Sequence, residues 1–253
     1  MERQHNSSRA WMLLAVAGGT VGVIAWLLLW LVGLGLIWSL LVGLLLAASV
    51  AAAVYLGSDG YVLRRVGAAP VGPADEPRLA NLVEGLCVAR GYHEPRLFVL
   101  DDAAPNALAV GRSPRHSALV VTRGLLEQLT RIELEGVIAH ELSRIATHDT
   151  LLEVHAAVVV GLPLALTPEL RRSALRRVIG HQRDVRADLE GVSLTRYPPG
   201  LIAALIRVRD HAGAPVAHEG AIGHLWLSPP AELAGNDGLR FTLDDRIAVL
   251  QEL

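Results

Sequence analysis

The sequence predicts a mainly helical α+β protein in which a transmembrane helical hairpin leads into a domain holding a small β-sheet. Three observations carry this reading. Residues Trp11 to Leu56 contain no Asp, Glu, Lys, Arg or His. After Gly57 the composition becomes that of an ordinary globular domain. Within that domain, apolar residues at helical spacing dominate, interrupted by two short runs of strand-forming residues.

The chain has 253 residues, of which 52% are hydrophobic, and most of the apolar excess lies between Ala10 and Leu56. The length suffices for a membrane anchor and one sizeable core. A formal net charge of −2 gives no electrostatic case for nucleic acid. Every cation other than histidine is arginine. Cys87 is the only cysteine, so neither an internal disulfide nor a cysteine zinc cluster can form.

A bilayer crossing needs about 20 apolar residues in helix, and the uncharged stretch is roughly twice that long. Gly33-Leu34-Gly35 is the natural turn between two crossings, flanked by Trp26, Trp30 and Trp38 as interfacial aromatics. Arg3 and Arg9 precede the first span, and Arg64 and Arg65 follow the second. The positive-inside tendency therefore expects both ends in the cytoplasm. A cleaved signal peptide is disfavoured by the length of the apolar run. Gly18, Gly19 and Gly22 in the first half, with Ala47, Ala48 and Ala51 to Ala53 in the second, suit close helix contact. The expected organisation is a cytoplasmic N-terminus at 1–10, two transmembrane helices over 11–56, a connector over 57–77 and a domain over 78–253.

In that domain Glu76 to Gly91 has helical spacing and ends on glycine. Arg96 to Leu100 and His116 to Thr122 read as strands, separated by a loop containing Pro105-Asn106. A short helix over Gly124 to Leu129 follows. Thr130 and Glu133 form a capping-box pattern opening a helix that runs through His140, Glu141 and Arg144 toward His148 and Asp149. Leu151 to Leu166 is apolar but contains Glu153, His155 and Pro163; it reads as a buried or membrane-surface helix. Arg171, Arg172, Arg176 and Arg177 form a basic cluster suited to anionic lipid or to a solvated helix face. Helices are expected over Gln182 to Leu194, Pro199 to His211 and within Phe241 to Leu253.

His-Glu-x-x-His binds zinc because its histidines lie one helical turn apart on one face, with the glutamate activating the bound water. Here the run is His140-Glu141-Leu142-Ser143-Arg144. Arginine is a permanently charged donor, so position 144 cannot ligate a metal. His148 lies about 12 Å beyond His140 on a continued helix axis, too far to share an ion. His211, His218 and His224 read as surface histidines.

Several stretches around this helix resemble the HtpX-type membrane zinc metallopeptidases, which have a gluzincin-like fold. They are Pro105-Asn106-Ala107-Leu108-Ala109, Gly111-Arg112, Val121 to Leu126, Leu134 to Leu142 with Asp149, Arg183 to Asp188, Pro229-Pro230 and Asp245-Arg246-Ile247. The apolar hairpin resembles the family too, although the interval after Thr150 is shorter and less apolar than the family's second hairpin. The resemblance implies that His140 is the first zinc ligand and Glu141 the catalytic base. It puts Arg144 at the second zinc histidine and Asp184 at the third ligand, where the family has glutamate. Asp188 matches an aspartate that supports the ligands, and Ser228 replaces a histidine that steadies the transition state. Three of these six positions depart from the pattern.

Two functions are expected from this. The first is a pseudopeptidase binding membrane proteins or a membrane protease complex in quality control, its zinc absent or weakly bound. In it Arg144 replaces the charge of the ion and pairs with Asp184 or Glu141. The alternative is an active zinc endopeptidase with substitute ligands, His181 joining His140 and Asp184, and with the strand near residues 117–121 pairing to an extended substrate.

Overall fold

A computed structural model describes residues 2–161, 167–180, 182–211, 222–229 and 240–253. The chain opens with two long helices, α1 (Glu2–Leu31) and α2 (Leu36–Val66). The turn between them uses Gly33 and Gly35 at φ 91° and 83°, a left-handed conformation that only glycine adopts without strain. The helices meet along a seam of small residues. A Cβ added at Gly22 would lie 2.7 Å from the Gly43 carbonyl oxygen, and one at Gly18 would lie 2.5 Å from that of Ala47. Gly19 points away from this seam and meets nothing within 4 Å. Around the pair, side chains such as Leu28, Leu31, Ile37 and Leu45 are exposed, so the hairpin presents an apolar surface. Among the described residues these two helices are long and apolar enough to cross a membrane.

Helix α2 does not stop where the apolar run ends. Residues 57–66, expected as part of a connector, continue the helix to Val66, and Gly67 caps it at φ 74°. Val62, Leu63 and Val66 then bury themselves in the domain core, which joins anchor and domain without a flexible hinge. The rest of the expected connector includes a short strand, β1 (Ala69–Val71).

The sheet contains β1, β2 (Arg96–Leu100), β3 (Ala107–Ser113) and β4 (His116–Thr122) in the order β1-β2-β4-β3. Strand β4 pairs parallel with β2 and antiparallel with β3. Its continuous apolar run fits burial on both faces, which is what the sheet provides. Leu119 and Val121 pack with α3 (Pro77–Arg90), α5 (Arg131–Ala146) and the helices behind them. Ala118 and Val120 pack with Val62 and Val66 of α2, Val154 and Trp226. β3 lies within the region read from sequence as a loop. Its Ala107 and Ala109 face α5, while Leu108 and Val110 face the other way.

The remaining helices are α4 (Arg123–Gln128), α6 (Asp149–Ala156), α7 (Pro168–Ile179), α8 (Arg183–Thr195), α9 (Pro198–Asp210) and α10 (Leu243–Gln251). A π turn over Ala157–Gly161 extends α6, and a 3-10 turn spans Gly223–Leu225. Close approach of α5 to its neighbours depends on two glycines. A Cβ at Gly136 would lie 2.8 Å from the Leu201 nitrogen on α9, and one at Gly191 would lie 2.9 Å from the His140 nitrogen. The second contact sets α8 directly against the His-Glu turn of α5.

Candidate active site

Helix α5 begins with the expected capping box: Glu133 accepts a 2.7 Å hydrogen bond from the Thr130 backbone, and Thr130 accepts from the Glu133 backbone. From Gly136 to Ala146 every residue is buried, so its polar side chains must find partners inside the protein. The helix ends at Ala146 rather than continuing to Asp149. His148 turns the chain at φ 63° and lies 2.9 Å from Ser7, while Asn6 donates to the Thr147 carbonyl and to Asp149. His148 therefore belongs to the junction with α1 and not to the site.

His140 is fully buried, and its Nδ1 lies 2.6 Å from Asp188 Oδ1. That bond assigns the Nδ1 proton to face Asp188 and leaves Nε2 as the second ring nitrogen. Among the described residues Nε2 has no hydrogen-bond partner, and neither does Glu141 Oε1, 4.0 Å away.

The other carboxylates are met by arginines. Arg144 donates to Glu141 Oε2 at 2.8 Å and to Glu153 on α6. Arg183 rests against the other Glu153 oxygen as an ion pair. Arg240 clasps both oxygens of Asp184. Arg246 donates to both oxygens of Asp188, at 2.7 and 2.8 Å. Thus four guanidiniums (144, 183, 240, 246) face four carboxylates (Glu141, Glu153, Asp184, Asp188), all no more than 7% exposed.

Burial alone would raise the Asp184 carboxyl, but Arg240 outweighs it and holds this group far below the usual carboxylate range. Burial likewise opposes the charges on Glu153 and Asp188. Arg144 and Arg183 depress Glu153, and Arg246 with His140 depresses Asp188. The Arg144 cation is disfavoured by burial yet held above its ordinary value by Glu141 and Glu153. His224 is pushed down to about 4 by burial, so it is neutral near pH 7.

The segment 222–229 supplies backbone acceptors to three of these guanidiniums. The carbonyls of His224 and Trp226 accept from Arg240, that of Leu225 from Arg144 and that of Leu227 from Arg246. The same segment pairs with the outer edge of β3. Leu227 donates to the Ala107 carbonyl at 2.8 Å, Trp226 bridges Leu108, and Asn106 makes two hydrogen bonds to the Ser228 backbone.

Several sequence expectations are corrected here. Strand β4, expected to present an edge to substrate, lies between β2 and β3 with its centre fully buried. β1 and β3 are the edge strands, and the outer edge of β3 is partly taken by the chain's own residues. Of the two pairings expected for Arg144, the one with Glu141 forms, whereas Asp184 is occupied by Arg240. His224 is not a surface residue but is fully buried, with Nε2 3.4 Å from the Glu153 carbonyl. His211 is exposed at the end of α9. His181 and His218 lie outside the described residues. Glu153, Arg183, Arg240 and Arg246 (the last quoted only within Asp245-Arg246-Ile247) were missed as site residues. Glu153 carried a signal, a lone acid in an apolar run, and Arg183 stood within the Arg183-to-Asp188 motif; Arg240 carried none.

A family model described as peptidase family M48 matches residues 73–178. A protease HtpX homolog of Dictyoglomus thermophilum is 37% identical over 185 residues, covering 61% of this chain and 61% of that protein. Homologs of the same description from Thermoanaerobacter pseudethanolicus and Tropheryma whipplei are 32% and 30% identical. Those matches cover 70% and 74% of this chain, and 71% and 75% of the relatives. The chain spans less than two thirds of the Dictyoglomus relatives.

Family M48 peptidases depend on zinc, and a catalytic zinc site needs three protein ligands and an open position. Among the described residues, those at this position do not fit that demand. His140 Nε2 is a suitable donor, but the guanidinium of Arg144 has no lone pair to offer. Both Asp184 oxygens are engaged by Arg240. Among the described residues the four guanidiniums offset the four carboxylates, so a divalent cation would add two unopposed charges to a buried site. Among the described residues no group of three His, Cys, Asp or Glu side chains is placed to hold a metal.

Proposed function

The chain belongs to the HtpX-type branch of peptidase family M48, and from that premise we propose that it is a membrane-anchored pseudopeptidase that binds membrane proteins without cutting them. The observation that carries this reading is Arg144. Its guanidinium stands at the second zinc histidine and bridges Glu141 to Glu153. With Oε2 taken by Arg144, one oxygen of Glu141 is already committed and is not placed to receive a proton from water. The segment 225–228 on the β3 edge further reduces the room for an extended substrate.

The apolar hairpin associates the chain with a membrane, and in this reading it crosses twice. Arg9, Arg64 and Arg65 support a reading in which the domain lies on the cytoplasmic side of a bacterial inner membrane. The partners are membrane proteins or a membrane protease complex engaged in quality control.

A second reading, an active endopeptidase with substitute ligands, is favoured by one observation. His140 Nε2 and Glu141 Oε1 are buried, close together and without hydrogen-bond partners among the described residues. One assay separates the two. The full chain is reconstituted in vesicles with a membrane-protein substrate, beside a Glu141→Gln variant. The pseudopeptidase gives the same background cleavage in both. Cleavage by the unmodified protein that Glu141→Gln abolishes would establish the second reading instead.

A further inference from the structure

A cavity of about 330 Å³ lies against helix α5, apart from the arginine–carboxylate cluster, none of whose members lines it. Its floor is Leu142, Ile145 and Ala146, which are three and four residues apart and so share one face of α5. Its rim carries Tyr92 and His93, just past the end of α3, and Arg115 in the turn between β3 and β4. Among the described residues no Asp or Glu lines the cavity, and Glu94, next to His93, stays outside it. Arg115 is exposed, and among the described residues its only hydrogen bond runs from Nε to His93 Nε2 at 3.2 Å. Both terminal guanidinium nitrogens are therefore open to an acceptor. Because His93 Nε2 accepts that bond, Nδ1 carries the ring proton and is a further donor. A cation over an apolar floor, in a space of this size, is the make-up of a site for a small amphipathic anion.

What the cavity adjoins says where such a ligand comes from. Arg112, three residues before Arg115, donates to the Leu56 carbonyl at 3.2 Å. Leu56 is the last residue of the uncharged run, where α2 leaves the apolar zone. On the floor side, α5 ends one residue before Thr147, whose carbonyl accepts from Asn6 of α1 at 3.1 Å. Asn6 lies about 8 Å along the helix before Trp11 and the start of that run. Both walls are thus tied to the points where the two anchor helices leave the apolar zone. A bilayer passes from hydrocarbon to water through a headgroup layer about 5–8 Å deep, and molecules with an apolar body and one anionic group collect there.

We propose that this cavity binds a fatty acid, its carboxylate received by Arg115 and His93 and its alkyl chain laid on Leu142, Ile145 and Ala146. The terminal N–H groups of Arg115 form the planar pair that suits a carboxylate. The floor belongs to the helix that carries Arg144, so an occupied cavity stabilises the folded domain by mass action. The source of the ligand rests on the hairpin spanning the bilayer, which resistance to alkaline extraction checks by itself; the cavity and its chemistry do not depend on it.

The probe is labelled octanoate, titrated onto the full chain in phosphatidylcholine nanodiscs with the signal of empty nanodiscs subtracted. One saturable octanoate per chain and a raised unfolding midpoint are expected, with octanol binding at least about tenfold more weakly for want of a charge. Arg115→Gln should weaken octanoate about tenfold without moving the ligand-free midpoint. Arg131→Gln, at the far end of α5, should bind as the unmodified chain does. Ala146→Leu fills the floor and should abolish binding in a chain that still unfolds cooperatively. No saturable octanoate, or binding undiminished in either Arg115→Gln or Ala146→Leu, would overturn the site. A leucine-ending peptide with a free carboxylate that displaces the label at lower concentration than unlabelled octanoate would overturn the lipid source in favour of a chain terminus.

Discussion

The seam of the hairpin and the arginine cluster bury their surfaces in opposite ways. Gly18, Gly22, Gly43 and Ala47 bring two backbones together with no charge at all. Around α5, by contrast, Arg144, Arg183, Arg240 and Arg246 are packed against Glu141, Glu153, Asp184 and Asp188. The seam depends on shape and tolerates loss of one contact by a small shift. The cluster depends on balance, because removing any one member leaves an uncompensated buried charge.

The largest effect should follow from unbalancing the cluster. Arg144→Ala leaves Glu141 and Glu153 facing each other without their shared cation, and should cost about 3–5 kcal/mol in denaturant unfolding of the full chain. A double variant sharpens the point. Asp184→Ala or Arg240→Ala alone should destabilise by a similar amount, whereas Asp184→Leu combined with Arg240→Met should recover most of the loss. A double variant as unstable as the sum of the single ones would show that the pair has no such balance to keep.

Acid should act on the cluster and spare the seam. His224 is neutral in the fold and has a folded pKa of about 4 against an ordinary 6.5. Its contribution is full above pH 6.5 and is lost as pH falls from 6.5 toward 4, about 3 kcal/mol over that window. The depressed carboxylates of Asp184, Asp188 and Glu153 extend the loss below pH 4, since the unfolded chain then binds protons that the fold refuses. Unfolding midpoints between pH 7 and 4 should therefore fall in the unmodified chain and fall less in His224→Gln.

The smallest effect is expected at the seam. Gly22→Leu drives a side chain into the Gly43 carbonyl and Ala47, costing about 1–3 kcal/mol of helix pairing. Cross-linking between cysteines introduced at Val23 and Leu44, which line one groove along the seam, should slow in this variant, while the domain's unfolding midpoint holds. A fall in that midpoint as large as for Arg144→Ala would show that the two regions are one cooperative unit.

The same contrast explains what could be read from the sequence. The hairpin, its glycine turn and the capping box of Thr130 and Glu133 are local features, written in consecutive residues. β2, β4 and the helices α3, α5, α8 and α9 followed from spacing and end signals for the same reason. β3 escaped notice because Ala107 to Ser113 mixes small residues, glycine and arginine, and becomes a strand only by pairing with β4. β1 is too short to carry a pattern. At the site, His140, Glu141, Arg144, Asp184 and Asp188 were legible through motifs on α5 and α8. The partners that decide their chemistry were not, since Arg240 lies 56 residues from Asp184 and reaches it only through the fold. Which arginine meets which carboxylate is a tertiary fact.

The central claim is that the cluster is complete without a metal. It is tested most directly by measuring zinc per chain and the unfolding midpoint, with and without chelator, in the unmodified protein and in Arg144→His. No stoichiometric zinc and a chelator-insensitive midpoint are expected in the unmodified chain, with zinc gained only after Arg144→His. One zinc per unmodified chain, lost in His140→Ala and with a midpoint that chelator lowers, would contradict it.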